Sequence, residues 1–311
     1  MTIDFKNTGR MAPEFYILGT AKAGTTAVWS WLRSHPEVFL PKVKEPGFFA
    51  FEGKLAEPEQ GPYDPDYTAE ITTTCHDYGA LYSECLDRIA GDVSPVYLAS
   101  PRVAAKLAAA RPDARLIIIL RDPVDRAFSQ FCHHRRDGLE PLESFEDALL
   151  AETQRALDGW SWAHQYAGLG DYAEQIQRYK DVFPADQILI LDYDRLQTEP
   201  EVCWKEICAH LGLSECPMPV NERMNATQGL KSVPSRPAVA RHIAHPGLVQ
   251  RLLKRVVPGS ARKYIRRLLE GRQMPSPVLD AASREMLTSR YAPQRPRLES
   301  MTGQRFENWC A

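Results

Sequence analysis

The sequence predicts an α/β protein of three layers. It should have a P-loop-like central parallel sheet flanked by helices, with a C-terminal helical cap. Three observations carry this. Apolar strand-like runs alternate with helical stretches, the pattern of a sheet wound with helices. Arg115–Leu120 (Arg-Leu-Ile-Ile-Ile-Leu) is a continuous apolar run, the kind buried on both faces of a parallel sheet. Near the start, an apolar run over residues 15–18 enters a loop with two glycines, and the loop opens an amphipathic stretch over residues 27–33.

Taken in order, residues 15–18 form the first strand and 27–33 the first helix. Residues 52–66 are rich in Pro, Gly and acid and read as an excursion over the surface. Residues 101–110 have helical spacing, and the strand Arg115–Leu120 follows. Asp122 then reads as an N-cap, Pro123 as the first helical residue and Asp125 as a first-turn acid. Helices are expected at 144–157, 172–183 and 201–211, with a third strand at 187–191. From Lys231 to Arg272 basic residues dominate and Glu270 is the only acid. Apolar residues recur there at helical spacing, as two short basic helices broken at Pro258-Gly259. Such a segment is either a solvated cover on the core or an electropositive wall beside an anionic ligand.

At 311 residues the chain can bury a full core, and the reading is one domain: an α/β core over 13–215 and a basic cap over 216–311. A net charge of −2 gives no global field, so an anion site must be local and no nucleic-acid partner is indicated. No run approaches the roughly 18 apolar residues of a membrane span. The first ten residues are polar and include Asp4, unlike a signal peptide. Seven scattered cysteines with no CxxC pair and no Cys/His spacing indicate reduced thiols, a cytoplasmic protein and no metal site.

The chemistry-bearing loop is Gly19-Thr-Ala-Lys22-Ala-Gly24-Thr25-Thr26. A strand, a glycine loop and a helix start together aim free N–H groups and a helix dipole at an anion. The glycines have phosphate-loop spacing, but Thr25 stands where a nucleotide hydrolase carries its lysine, and the lysine is displaced to Lys22. An ordinary turn with a surface lysine is the alternative. The second signal is Arg121-Asp122-Pro123-Val-Asp125-Arg126-Ala-Phe-Ser129, directly after the best strand. A guanidinium at a strand end and a hydroxyl two helical turns on can grip one phosphate. A helix cap with Arg121 in a local ion pair would use the same residues.

Together these two elements resemble those of sulfotransferases that use 3′-phosphoadenosine 5′-phosphosulfate (PAPS). The resemblance extends to Pro41-Lys-Val-Lys44-Glu45-Pro-Gly-Phe48-Phe49, to Gly91-Asp-Val-Ser94-Pro95-Val-Tyr97 and to Tyr172…Tyr179…Phe183-Pro184 with Leu191-Asp-Tyr193-Asp-Arg-Leu196. It covers residues 13–215 and is nearest to heparan-sulfate-type enzymes and soluble bacterial relatives. It implies that Lys22 neutralises the leaving phosphate, and that Ala23, Gly24, Thr25 and Thr26 hold the 5′ end of PAPS. Arg121 and Ser129 would take the 3′-phosphate, which is retained in the product 3′,5′-adenosine bisphosphate (PAP). Glu45 becomes the general base, with Phe48 and Phe49 expected to line the acceptor cleft; the alternative is a surface pair with Lys42 or Lys44. His133, one turn after Ser129, is a second base, a substrate contact or a structural histidine, and His134 takes no role. No metal is implied.

Two departures stand out. Val93 occupies a position where glycosaminoglycan enzymes commonly carry lysine. Their late lysine-glycine-arginine loop has only a loose counterpart in Gly229-Leu-Lys231-Ser-Val-Pro-Ser-Arg236-Pro237, which makes Lys231 and Arg236 the cofactor contacts expected there. The implied reaction moves a sulfuryl group to a hydroxyl, less commonly an amine, of a glycan, glycolipid or small metabolite. A P-loop kinase or hydrolase and a non-catalytic nucleotide-binding scaffold are the rival readings.

Overall fold

A computed structural model describes residues 12–219, 232–234, 273–275 and 277–310. In chain order its elements are β1 (Phe15–Ile17), α1 (Thr25–Arg33), β2 (Val38–Phe39), α2 (Phe48–Phe51), α3 (Pro65–Glu70), α4 (Cys75–Ala80), β3 (Ile89–Val93), α5 (Val96–Ala99), α6 (Val103–Ala110), β4 (Arg115–Leu120), α7 (Pro123–Asp137), α8 (Phe145–Leu150), α9 (Glu152–Leu157), α10 (Tyr172–Lys180), β5 (Ile188–Asp192), α11 (Tyr193–Thr198) and α12 (Pro200–Leu211). Two short strands, β6 (Ser232–Pro234) and β7 (Gln273–Pro275), and the helices α13 (Ala281–Tyr291) and α14 (Arg295–Thr302) complete the described strands and α-helices.

The five-stranded sheet runs β2-β3-β1-β4-β5 and every pairing is parallel. Ile17 in β1 sits between Val93 of β3 and Ile117 of β4. Side chains alternate between two cores. Tyr16, Leu18, Leu116, Ile118 and Leu120 face α6 and α10. Phe15, Ile17, Ile117 and Ile119 face α1 and α12. The three layers follow from strands buried on both faces. The loops after β1 and β4 leave the carboxyl ends of adjacent strands, where parallel sheets bind ligands.

Two strands escape the sequence pattern. β2 is only two residues long. β3 reads Ile-Ala-Gly-Asp-Val, with a glycine and an acid mid-strand. Tertiary contacts justify both. A Cβ on Gly91 would lie 2.1 Å from Cζ of Phe15. Asp92 is fully buried and accepts hydrogen bonds from Ser94 Oγ (2.6 Å), Tyr78 Oη (2.7 Å) and Tyr97 Oη (2.8 Å). Burial pushes its carboxyl up to about 6, against those hydrogen bonds. Gly91→Ala is expected to cost about 1–3 kcal/mol, the usual range for overpacking a core. Urea unfolding of the variant checks this, and an unchanged midpoint refutes the tight contact.

Several boundaries shift. α1 begins at Thr25, two residues earlier than the apolar spacing suggests. The helix expected over 144–157 is two, α8 and α9, separated by Ala151. The stretch 52–66 does not simply run over the surface. Glu59 N donates to the Gly159 carbonyl at 3.0 Å. A Cβ on Gly61 would lie 2.4 Å from the Trp160 ring, so the indole packs directly on this backbone.

The C-terminal residues return to the core. α13 packs on α7 and α8, and α14 on α10. Trp309 lies against Tyr172 at 5.8 Å between ring centroids, and Cys310 N donates to Asp122 Oδ2 at 2.5 Å. β6 and β7 pair antiparallel, and β6 runs beside α7. The two basic helices expected within 231–272 lie outside the described residues. Among the described residues no helix is long and apolar enough to cross a membrane.

Candidate functional site

The loop after β1 is shaped by three backbone constraints. A Cβ on Gly19 would lie 2.8 Å from Thr25 Cγ2, so only glycine lets strand and helix approach this closely. Lys22 and Gly24 both take positive φ, 71° and 86°. Left-handed geometry at a non-glycine residue costs about 1–2 kcal/mol and here turns the chain into α1. Gly24 is the N-cap, and no side chain caps the helix. Ala27 N donates to the Gly24 carbonyl at 3.0 Å, which leaves the Thr25 and Thr26 N–H groups without a side-chain cap, the arrangement that suits an anion.

The loop after β4 is tied to this one. Arg121 Nη1 donates to the Lys22 carbonyl at 3.1 Å, and its guanidinium stacks over the Tyr193 ring at 4.9 Å. Tyr172 Oη donates to the Arg121 carbonyl at 2.9 Å. Asp122 caps α7 by accepting from Val124 N and Asp125 N, with Pro123 opening the helix as expected. Ser129 is half-buried two turns along α7.

Lys22 has no hydrogen bond or ion pair to its ammonium among the described residues. Its pKa falls to about 8, first through burial and then through the nearby Arg136 and Arg121 guanidiniums, with Asp137 opposing. The same cation and burial act on His133. Burial and then Lys22 push His133 down to about 4, while Asp137 pulls upward. His133 is therefore neutral at pH 7. Its Nδ1 lies 3.2 Å from Asp137 Oδ2, without the alignment of a hydrogen bond, so the contact is no ion pair there. Asp137 is instead gripped by Arg136 at 2.6 and 2.8 Å.

Glu45 sits on the loop between β2 and α2. Lys44 Nζ donates to Glu45 Oε1 at 2.5 Å, and the two side chains are 22 % and 25 % exposed. Two residues on, Gly47 N donates to Ser94 Oγ at 3.1 Å, and Ser94 in turn donates to Asp92. The buried acid of β3 thus anchors the loop that carries Glu45. Phe48 and Phe49 do not line the cleft. Both are fully buried against Tyr78 in the core, and Phe51 reaches the cleft instead. The period of a four-residue helix cannot tell which ring turns inward. Val93 is likewise buried in the core beneath α1.

One cleft of about 1280 Å³ gathers Lys22, Gly24, Thr25, Thr26, Arg121, Ser129, Glu45 and His133. Ala23 stands apart: its methyl is buried in the core, and its N–H donates to the Thr20 carbonyl at 3.2 Å. Lys231 and Arg236 lie outside the described residues. Sequence reasoning missed Gln130 and gave no role to His134, yet both line the cleft. Gln130 Nε2 and His134 Nε2 are 2.7 Å apart, and His134 Nδ1 meets Tyr166 Oη at 2.9 Å. The i, i+4 spacing of Gln130 and His134 was the only local signal; Tyr166 is remote in sequence.

The chain is similar in sequence and fold to known proteins. Residues 13–217 match a family model described as a sulfotransferase family. The chain is 30 % identical over 205 residues to the human bifunctional heparan sulfate N-deacetylase/N-sulfotransferase 2, covering 65 % of this chain and 22 % of that protein. It is 26 % identical over 268 residues to the human heparan sulfate glucosamine 3-O-sulfotransferase 3B1, covering 86 % of this chain and 62 % of that protein. It thus spans less than two thirds of either relative. A sulfotransferase structure from Alicyclobacillus acidocaldarius superposes with a TM-score of 0.73 at 27 % identity, covering 97 % of this chain and all of that one.

Proposed function

We propose a residue-level mechanism on a fixed premise: the chain belongs to the PAPS-dependent sulfotransferase family and is an enzyme of that class. The premise removes the kinase, hydrolase and scaffold readings. The acceptor is a hydroxyl of a small molecule, glycan or glycolipid. PAPS, when bound, supplies an activated sulfuryl group: an acceptor O–S bond forms as the S–O bond to its 5′-phosphate breaks, releasing PAP.

The residues of the cleft fit that donor. The uncapped start of α1 offers the Gly24, Thr25 and Thr26 N–H groups, with both threonine hydroxyls, to the 5′ end. Ala23 shapes the loop through its bond to Thr20. Lys22 is the counter-charge to the leaving phosphate, a preorganised electrostatic role. Arg121 and Ser129 take the 3′-phosphate. Glu45 accepts the acceptor proton once Lys44 releases it, and neutral His133 contacts the acceptor or stands as second base. Lys231 and Arg236 are proposed cofactor contacts from the basic segment, whose first described strand, β6, runs beside α7. A single domain, with its core over 13–215 and its cap over 216–311, is the organisation that this reading uses.

The observation that carries it is Lys22: a half-buried ammonium, without a partner among the described residues, at a helix start with no side-chain cap. The test is nucleotide selectivity. PAP is expected to bind more than about tenfold tighter than ADP, because a charge-assisted hydrogen bond contributes about 1.5–3 kcal/mol. Arg121→Ala should erase most of that gap. Calorimetry finding equal affinities in the wild type overturns the 3′-phosphate assignment, and transfer of label from PAPS to an acceptor tests the reaction.

A further inference from the structure

Resting on that reading, we propose the acceptor class: an uncharged or cationic phenol or alcohol with a flat apolar body, rather than a polyanionic glycan. Beside the residues assigned to the cofactor, the cleft is walled by residues from the 54–70 stretch and by the loop over 159–165. Tyr63, Tyr67, Trp160 and Trp162 line it. Trp160 is packed on both sides. Its ring lies on the Gly61 backbone, and the Arg155 guanidinium sits over it at 4.5 Å. Arg155 is itself fixed by two bonds of 2.7 Å to buried Glu140. These aromatic side chains give the wall a flat, largely apolar lining.

The charge on this wall opposes anions. Glu57, Glu59, Asp64 and Glu70 line the cleft, and Lys54 is the only basic residue between 54 and 70. A sulfated or carboxylated acceptor would enter against like charge, and such juxtaposition is a strong basis for rejection. The feature of this chain that favours a polyanion is the basic stretch outside the described residues, and an acceptor panel sets the two against each other.

Gln130 supplies a directional contact. It lines the cleft and is 6 % exposed. Tyr166 Oη donates to Glu140 Oε2 at 2.8 Å, so its oxygen accepts from His134 Nδ1–H. His134 Nε2 then accepts from the Gln130 amide at 2.7 Å. Burial and then His164 hold His134 neutral, as this chain requires. The amide orientation is thereby assigned, and Gln130 Oε1 is left as a buried acceptor without a partner among the described residues. A ligand O–H or N–H donor meets that need when the amide turns toward the cleft; a carboxylate or sulfate does not.

The experiment compares tyramine, 4-(2-hydroxyethyl)phenol and 4-hydroxyphenylacetate with an N-desulfated heparan oligosaccharide, using labelled PAPS. These phenols differ in charge around a common ring. The amine and the neutral phenol are expected to exceed the acid in kcat/KM by about tenfold or more, with the oligosaccharide lowest. The triple variant Glu57→Gln/Glu59→Gln/Glu70→Gln should narrow the amine-to-acid ratio severalfold, and Gln130→Leu should raise the phenol KM without changing the PAP Kd. A preference for the acid or the oligosaccharide overturns the proposal, as does a ratio unchanged in the triple variant. If no phenol turns over, thermal shift of the PAP-loaded enzyme decides: absence of any shift with all three overturns it. Failure of PAP itself to bind would overturn the parent reading instead.

Discussion

Lys22→Ala is expected to lower turnover with PAPS by roughly 10²–10³-fold, the effect of deleting one preorganised donor to developing charge. It should also abolish a proton uptake. In the free protein Lys22 titrates at about 8, because burial and the neighbouring Arg136 and Arg121 disfavour its charge. An anion beside it favours the charged form and raises its pKa. Binding PAP at or above pH 8 must therefore draw a proton from solvent, and affinity must fall as pH rises through about 8. Calorimetry in buffers of different ionisation enthalpy reads the uptake directly. If the alanine variant keeps the same pH slope above 8, Lys22 is not the group that meets the phosphate.

Glu45→Gln should separate chemistry from binding. Turnover is expected to fall by roughly 10²–10⁴-fold, the usual range for a lost general base, with PAP affinity retained. The amide keeps a hydrogen-bond acceptor for Lys44 but cannot take the acceptor's proton. Single-turnover rates with labelled PAPS, beside calorimetric PAP affinities, make the comparison. A loss of only a few fold would make Glu45 a surface partner of Lys44. His133→Ala then becomes the informative variant, since His133 is neutral at pH 7 and shares α7 with Ser129.

Much of this architecture was legible in the sequence because it rests on local signals. The apolar run of β4 and the turn chemistry of Asp122-Pro123 name themselves. So does the strand-loop-helix around Lys22, although apolar spacing starts the helix at residue 27 and the structure starts it at Thr25, after Gly24. What stayed hidden depends on residues distant in the chain. β3 looks broken at Gly91-Asp92 until Phe15 lies over the glycine and three hydroxyls surround the acid. Phe48 and Phe49 read as cleft residues, but their direction is set by Tyr78. The polar stretch over 52–66 reads as surface because nothing in it foretells Trp160, about a hundred residues later. Residues 231–272 carry the boldest charge pattern in the chain, yet apart from β6 they lie outside the described residues.

The packing of Trp160 on Gly61 joins two surface segments and no strand of the sheet. The Lys22 and Arg121 loops, by contrast, hang on neighbouring strands whose registers are locked by the core. The Gly61–Trp160 contact is a clasp between two loops, so a substitution there can reshape the cleft without touching a strand.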